Sequence, residues 1–322
     1  MNLLNSRIRK HLICIPSERH KHLRRIFRTL YKIPGAKLLT RNMIRDAIKF
    51  PFLSLKNKQR LYNFFSEDTQ PSKTILSKIQ LPNRKHLKLL LDLREDLSRM
   101  WYFFGYDGYE RGTANFFCKL LKSKSHIIDI GSNIGYYSFL AASYTSDRGE
   151  IHSFEPNPDI FNWLKQNSCR NDFRNLHLNQ IALSDKNGLK ELFLPTDQSW
   201  STGSLIRDFV PQNQSILVQT MRLDTYCLEK NIHQIELIRM DVEGNELNVL
   251  KGMGDLLEKW HPDIICEVLQ PYERDLNHFF HGRSYRKFLI KDDSLVEVDH
   301  MTAHSQFRDY YLSCSPSIER QI

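Results

Sequence analysis

The sequence predicts an α/β fold with a doubly wound, mostly parallel sheet, preceded by a basic and mostly helical N-terminal extension. From about residue 113 onward, short apolar strands alternate with helical segments, a pattern typical of a parallel sheet covered by helices on both faces. Charge divides the chain at a similar place, because residues 1–100 hold 23 of the 46 Lys and Arg but only 7 of the 37 Asp and Glu. We therefore predict two units, an extension over residues 1–112 and an α/β domain over residues 113–322.

The extension is predicted to be helical because its apolar residues recur at helical spacing, with Arg and Lys between them and prolines separating the segments. The clearest example comprises Leu23, Ile26, Phe27, Leu30 and Tyr31. Three roles are open: a solvated helical cap, attachment to an anionic membrane surface or lipid-linked substrate, and nucleic-acid binding. Nucleic acid is the least favoured partner, since the segment has no zinc motif, no aromatic RNA-binding pattern and no clear helix-turn-helix.

Composition narrows the class of protein. The chain is 41% hydrophobic and 26% charged, which is typical of a globular protein and not of a disordered or fibrous one. No apolar run reaches the roughly 18 residues of a membrane-spanning helix, and the first residues lack the apolar core of a secretory signal. The six cysteines are scattered without close pairs, which indicates reduced thiols. We therefore expect a cytoplasmic protein that is at most peripheral to a membrane.

The elements of the α/β domain follow from its hydrophobic pattern. Strands are predicted where short apolar runs occur, at 125–130, 150–154, 176–183, 235–240, 263–268, 285–290 and 310–313. Helices are predicted where apolar residues recur at helical spacing, at 134–144, 158–169, 223–231 and 246–259. Two further segments, 189–194 and 216–222, predict a β excursion from the main sheet. Because ligands of such sheets bind beyond the carboxyl ends of the strands, the residues that follow each strand are candidates for the site.

A glycine-containing turn follows the first of these strands. Asp129 stands near the strand end, and the turn Gly131, Ser132, Asn133, Ile134 and Gly135 opens the next helix. Glycine permits a positive φ and a close approach of the backbone to a ligand. The spacing does not fit the G-x-G-x-x-G motif of dinucleotide-binding proteins, so an NAD site is weakly supported.

Carboxylates follow most of the other parallel strands. Glu155 ends the second strand, Asp241 and Glu243 follow the fourth, and Glu267 ends the fifth. An acid after the second strand of such a sheet commonly accepts hydrogen bonds from ribose hydroxyls. Acids also begin helices, but their joint placement favours a site on one rim of the sheet.

These residues carry a resemblance to a known family. The runs DIGSNIGYYSF, FEPNP, ALSDKNG, LDTYCLEKN and LIRMDVEGNELNVLKGM, in this order, resemble the FkbM family of S-adenosylmethionine-dependent methyltransferases. The resemblance covers roughly residues 113–315 and does not include the basic extension. It implies the seven-stranded sheet of class I methyltransferases, with the last strand antiparallel.

The resemblance also implies how the cofactor, S-adenosylmethionine, is bound. Gly131, Ser132, Asn133 and Gly135 would face its methionine part, and Asp129 would support that turn or the amino group of the cofactor. In addition, Glu155 would hold the ribose hydroxyls and Ala182 would lie near the adenine. No cofactor motif lies in residues 1–100, so we expect this segment to be dispensable for cofactor binding.

On the acceptor side, the resemblance implies O-methylation of a hydroxyl on a sugar, a glycan or a similar natural product. Asp241 and Glu243 would face this acceptor, with Asp241 the first candidate for general base and His304 the second. No metal is expected, although Mg²⁺ held by Asp241, Glu243 and Glu267 is an alternative way to activate the hydroxyl. A non-catalytic protein that keeps the cofactor fold, and an NAD-dependent oxidoreductase, are the alternative functions.

Overall fold

A computed structural model describes residues 74–195, 203–207, 209, 212–292, 294–304 and 307–316. The helices predicted in residues 1–73 lie outside the described residues. The strands are β1 Thr74–Gln80, β2 His86–Asp92, β3 His126–Ile130, β4 Glu150–Phe154, β5 Leu176–Asn179, β6 Ala182–Leu183, β7 Gly188–Pro195, β8 Gln212–Met221, β9 Leu237–Met240, β10 Asp263–Glu267, β11 Arg286–Lys291, β12 Ser294–Val298 and β13 Asp309–Ser313. The α-helices are α1 Asp96–Phe104, α2 Arg111–Leu120, α3 Tyr136–Thr145, α4 Pro158–Asn171, α5 Leu223–Glu229, α6 Glu246–Lys251, α7 Leu256–Trp260 and α8 Glu273–Phe280.

The central sheet is a mixed sheet of eight strands in the order β12-β11-β13-β10-β9-β3-β4-β5. Strands β3, β4, β5, β9 and β10 are parallel, and β13 is antiparallel to β10, as expected for the last strand. The predicted number of seven strands is wrong. The chain turns after β11, with Asp292 at a φ of +39°, and Ser294–Val298 pairs back as an additional edge strand. Its side chains are exposed or only partly buried, and the sequence shows no apolar run there.

Both faces of the sheet are covered, as the doubly wound prediction requires. Successive residues of a strand point to opposite faces, and Ile127 and Ile128 of β3 accordingly belong to two different clusters of buried side chains. Ile265 and Ile264 of β10 divide in the same way. Each fully buried aliphatic side chain contributes roughly 1.5–3 kcal/mol to the stability of this arrangement.

Two predicted elements are divided in the structure. The strand predicted over residues 176–183 ends at Asn179, and Ala182–Leu183 instead pairs with β8 in a second sheet of order β6-β8-β7. The helix predicted over residues 246–259 is two helices, because Gly254 between them adopts a φ of +54° that breaks the helical backbone. The β excursion is confirmed by the pairing of β7 with β8.

Residues 74–92 form an antiparallel hairpin of β1 and β2, and the prediction of helix for this part of the extension is wrong. The buried side chains of Leu87, Leu89 and Leu91 recur at every second position of β2, as expected for one face of a strand. The side-chain amide of Asn167 in α4 satisfies the free edge of β2, accepting from the N–H of Leu90 at 2.7 Å and donating to its carbonyl at 3.1 Å.

The described part of the extension shares a core with the sheet. Leu89 of the hairpin and Trp101 of α1 belong to the same buried cluster as Ile127 of β3 and Phe139 of α3. The predicted boundary at residue 112 lies inside α2, so it does not separate two cores. Among the described residues, no helix combines the length and the hydropathy that crossing a membrane requires.

Candidate functional site

A cavity opens at the carboxyl ends of β3, β4 and β9, where the chain order of the sheet reverses beside β3. Most of the residues predicted for the site line this cavity. They are Gly131, Ser132, Asn133, Glu155, Ala182, Asp241 and Glu243. The parallel strands bring these residues together, although Gly131 and Glu243 are more than 100 positions apart in the chain.

Three of the predicted residues do not line the cavity. Asp129 is wholly buried, and its Oδ2 accepts a hydrogen bond from the Ser138 hydroxyl at 2.5 Å. Gly135 begins α3, where a Cβ would lie 2.5 Å from the ring of Phe139. His304 is exposed and lies outside the cavity lining, so the structure does not bring this second candidate base to the site.

The glycine turn is held against the ends of two neighbouring strands. Gly131 has a φ of +76°, and a Cβ there would lie 2.0 Å from the backbone oxygen of Asp241. The N–H groups of Gly131 and Ser132 both donate to the carbonyl of Phe154 at 3.0 Å. The Ser132 hydroxyl donates to the Asp129 carbonyl at 2.8 Å and accepts from the Phe154 N–H at 3.0 Å. The turn therefore has a fixed conformation, and only glycine fits at residue 131.

Glu155 is a buried carboxylate at the cavity wall. Its Oε2 accepts from the N–H of Asn133 at 3.0 Å, and its Oε1 accepts from the N–H of Asn157 at 2.9 Å. Burial raises the pKa of Glu155 to about 7, although these two backbone donors lower it. A carboxylate has about four lone-pair sites, so two further donors can be accepted from a ligand.

An apolar wall lies beside Glu155. It is formed by Ile160 of α4, by Ile181, Ala182 and Leu183 between β5 and β7, and by Leu192 of β7. Such a wall suits a flat, uncharged part of a ligand, because it offers contact area without unpaired polar groups.

Arg239, which is not among the residues predicted from the sequence, organises the charges at the end of β9. Its guanidinium is buried, with Nη2 at 3.1 Å from Asp241 Oδ2 and Nη1 at 3.2 Å from the Gly131 carbonyl. Nη1 also lies 3.6 Å from Asp129 Oδ1, and the guanidinium carbon lies 4.3 Å from the centre of the Tyr137 ring. The sequence does contain a signal for this residue: Arg239 lies in the apolar run LIRM, and an Arg buried in such a strand requires charged partners.

Two more acids near Arg239 were also missed, since they come from distant parts of the chain. Glu110 lies before α2, with Oε2 at 3.9 Å from Arg239 Nη2 and accepting from the Tyr137 hydroxyl at 2.9 Å. Asp309 of β13 accepts from the hydroxyl of Thr113 at 2.5 Å. Burial, followed by the charge of Asp309, raises the pKa of Glu110, and Arg239 opposes this shift. The pKa of Asp309 is also raised, mainly by burial.

The acids around Arg239 outnumber it. Asp129, Asp241, Glu110 and Asp309 all interact electrostatically with this one guanidinium. Burial is the largest influence on the pKa of Asp129 and raises it, while Arg239 lowers it. An excess of carboxylates in a partly buried site favours a cation nearby.

The loop after β9 fixes Asp241 and Glu243. Glu243 has a φ of +54°, and its carbonyl accepts from the Ser204 hydroxyl at 2.8 Å. Glu246 holds the loop from the other side, since its Oε1 accepts from the Val242 N–H at 3.1 Å. Burial raises the pKa of Glu246 to about 7. Oδ1 of Asp241 has no hydrogen-bond partner among the described residues, because only its Oδ2 is held by the guanidinium.

The carboxylates named as alternative Mg²⁺ ligands do come together. One oxygen from each of Asp241, Glu243 and Glu267 lies within 4.8 Å of the others. Two of them already have a cationic neighbour: Asp241 pairs with Arg239, and Oε1 of Glu267 lies 3.6 Å from Arg308 Nη1.

The segment before the predicted α/β domain contributes to the cavity. Glu95, Asp96, Leu97 and Tyr109 line it, and the Glu95 carboxylate begins α1 by accepting from the N–H groups of Leu97 at 3.0 Å and Ser98 at 2.6 Å. Part of residues 1–100 therefore forms the wall of the cavity, and the dispensability of this segment for cofactor binding stays a prediction.

Comparison with known proteins identifies the class to which this fold and cavity belong. Residues 129–308, more than half of the chain, match the family described as the methyltransferase FkbM domain. The chain belongs to the FkbM methyltransferase family, as the sequence motifs predict.

Individual relatives are similar over part of their length. The hexuronic acid methyltransferase AglP of Haloferax volcanii is 30% identical over 133 residues, which cover 40% of this chain and 50% of that protein. The 2-O-methyltransferase NoeI of Sinorhizobium fredii is 31% identical over 151 residues, covering 41% of this chain and 59% of that protein. The chain thus spans only about half to three fifths of these two relatives. A crystal structure of the methyltransferase FkbM of Methylobacillus flagellatus has a TM-score of 0.42 at 15% identity, covering 86% of this chain and 60% of that one.

Proposed function

We propose that the protein is an S-adenosylmethionine-dependent methyltransferase that methylates a hydroxyl on a sugar, a glycan or a similar natural product. The observation that carries this proposal is the cavity itself. It joins the buried acid Glu155 at the end of β4 to the glycine turn at Gly131 after β3, beside the apolar wall at Ala182. A nucleoside ligand requires this combination: an acceptor for ribose hydroxyls, a close backbone approach and an apolar surface for the base.

The charges of the cavity fit this cofactor. Glu155 retains lone pairs for two ribose hydroxyls after accepting from Asn133 and Asn157. The excess of acids around Arg239 suits the positive sulfonium centre. When bound, S-adenosylmethionine supplies an electrophilic methyl group. Asp129 does not line the cavity, so its contribution is to support the turn through Ser138 and Arg239.

On the acceptor side, Asp241 is the group that takes the proton. One of its oxygens is held by Arg239 at 3.1 Å, which fixes the orientation of the carboxylate. The other oxygen has no hydrogen-bond partner in the described part of the chain and can receive the proton of a hydroxyl as the methyl group is transferred. The enzyme otherwise contributes alignment, which lowers such barriers by several kcal/mol.

The relatives support an acceptor of the sugar class. One is named a hexuronic acid methyltransferase and another a 2-O-methyltransferase. A ring hydroxyl is a weak nucleophile, so a fixed carboxylate such as Asp241 is the kind of base that the reaction needs.

The direct test is transfer of a labelled methyl group. The full-length protein is incubated with methyl-labelled S-adenosylmethionine and a panel of uronic acids, hexoses and cell-derived glycans, and each product is then treated with mild alkali. Methylation of a hydroxyl gives an ether, which retains the label, whereas methylation of a carboxylate gives an ester, which loses it. Alkali-stable label that depends on Asp241 supports the proposal; alkali-labile label, or no transfer to any acceptor, contradicts it.

A further inference from the structure

A second group of side chains with metal-ligand chemistry lies at the opposite end of β4 from Glu155. Glu150 and His152 are two residues apart on β4 and therefore point to the same face of the sheet. His177 of β5 is paired with His152 in the parallel register, and the two imidazole rings stack with their centres 4.7 Å apart. One ligand atom from each of the three residues lies within 4.8 Å of the others.

A chain of hydrogen bonds determines which nitrogen of His152 carries a proton. Asn179 donates through Nδ2 to the carbonyls of Ser153 at 3.1 Å and His177 at 3.2 Å, so its Oδ1 is the atom that faces Tyr226. The Tyr226 hydroxyl must donate to this oxygen, at 3.1 Å. Its oxygen therefore accepts from Nδ1 of His152, at 2.8 Å. Nδ1 is consequently protonated, and in the neutral ring Nε2 has the lone pair.

That lone pair faces a carboxylate. Nε2 of His152 lies 3.7 Å from Oε2 of Glu150, so the two atoms are close enough to bind one cation together. Two ligand atoms bound tetrahedrally to Zn²⁺ at about 2.1 Å each are about 3.4 Å apart, which is close to the observed separation.

We propose that Glu150, His152 and His177 form a binding site for a divalent transition-metal ion, with Zn²⁺ as the best match. Two imidazoles and one carboxylate are ligands that Zn²⁺ prefers, and solvent can complete a tetrahedral site. The ion has access from solvent, because the Glu150 side chain is 56% exposed and His177 is exposed. Tyr226 acts as a positioning residue, since it fixes the tautomer and orientation of the buried ligand. Bound metal would join the beginnings of β4 and β5.

The test is a calorimetric titration with Zn²⁺. The full-length protein is first treated with a chelator to remove bound metal, and the heat of Zn²⁺ binding is then measured. Wild type is expected to bind one equivalent that is lost in His177→Ala and weakened in Glu150→Gln, both at exposed positions that should leave the fold intact. The matched control is His281→Ala, which removes an exposed imidazole that lies outside β3, β4 and β5 and should not change binding. Affinity for S-adenosylmethionine, measured on each variant, reports whether the cavity is intact.

Two further measurements locate the ion. Co²⁺ in place of Zn²⁺ should give wild type the intense visible absorption of a tetrahedral site, and His177→Ala should lack it. Tyr226→Phe removes the hydroxyl that orients His152 and should weaken Zn²⁺ binding by about 10–100-fold, the usual effect of losing such a partner. Equal Zn²⁺ binding by wild type and His177→Ala, or no binding to wild type, would overturn the proposal.

Discussion

Arg239 links the predicted residues of the cavity to those that the sequence analysis missed. The acids Asp241 and Glu155 could be predicted, because the carboxyl ends of parallel strands meet at one edge whatever the details of packing. The partners of Arg239 could not, since Glu110 and Asp309 reach it from elements that are remote in the chain. His304 is a candidate on sequence because its loop precedes the last strand, but its side chain is exposed and lies outside the cavity lining.

The first prediction concerns Asp241. Asp241→Asn should bind S-adenosylmethionine within a few-fold of wild type, because Asp129 and Glu110 still surround Arg239. Turnover should fall by roughly a hundredfold or more, the usual effect of losing a general base. Binding is measured by calorimetry and turnover by methyl transfer at saturating acceptor. His304→Ala, outside the cavity, is the control and should retain the wild-type rate; turnover of Asp241→Asn near that of wild type would place the base elsewhere.

The pKa of Glu155 predicts a pH dependence of stability. Because folding raises this pKa from an ordinary 4.5 to about 7, the folded state binds the proton more tightly than the unfolded state. The contribution of Glu155 to stability is therefore greatest below pH 4.5 and is lost as pH rises towards 7. The difference in free energy of unfolding between Glu155→Gln and wild type should therefore change with pH. It should shift in favour of the variant by on the order of 1–3 kcal/mol as pH rises from 5 to 8. Urea unfolding of the ligand-free proteins measures this difference, and a difference independent of pH contradicts the shift.

Among the elements, β4 shows what a sequence can predict and the hairpin of β1 and β2 shows what it cannot. The sequence predicts a strand over Glu150–Phe154, after Gly149 and shortly before Pro156, and the strand has these bounds in the structure. The strands of the hairpin mix apolar residues with Ser, Lys and His. They belong to a segment whose other apolar residues recur at helical spacing. The pairing of the hairpin is decided by burial against Trp101 and α4, which the local pattern does not contain.

The contact between α4 and the hairpin gives a second stability prediction. Asn167 is fully buried and satisfies both the N–H and the carbonyl of Leu90. Asn167→Ala should lower the free energy of unfolding by roughly 1–3 kcal/mol, because buried backbone groups lose their partner. Asn171 makes the same pair of bonds with Lys88 nearer the surface, so Asn171→Ala is the matched control and should cost less. Urea unfolding measures both variants. Equal losses of free energy of unfolding would show that burial of the Asn167 contact does not increase its contribution to stability.

At the scale of the whole molecule, charge is distributed unevenly along the chain. Residues 1–73 contain 17 Lys and Arg but 4 Asp and Glu. If the methyl acceptor is anionic, this segment should raise its local concentration, and the effect should weaken as salt screens the charges. We expect kcat/KM for the natural acceptor to fall between low and high salt in the full chain, with affinity for S-adenosylmethionine unchanged.

The control for this prediction is a chain that begins at residue 74. The hairpin must be kept, because it shares a core with the sheet, and Glu95 and Asp96 must be kept because they line the cavity. The shortened chain should lose the salt dependence and retain cofactor binding. Salt-independent kinetics in the full chain would remove the electrostatic role of the basic segment.

The proposed function requires that the cavity at the ends of β3, β4 and β9 bind S-adenosylmethionine through Glu155. Calorimetric titration of the full-length protein with S-adenosylmethionine and, separately, with NAD tests it most directly. We predict binding of S-adenosylmethionine and not of NAD, a loss of roughly 1–3 kcal/mol of binding free energy in Glu155→Ala, and no loss in Glu191→Ala, an exposed glutamate outside the cavity. Binding of NAD instead, or wild-type affinity for S-adenosylmethionine in a folded Glu155→Ala protein, would contradict the account.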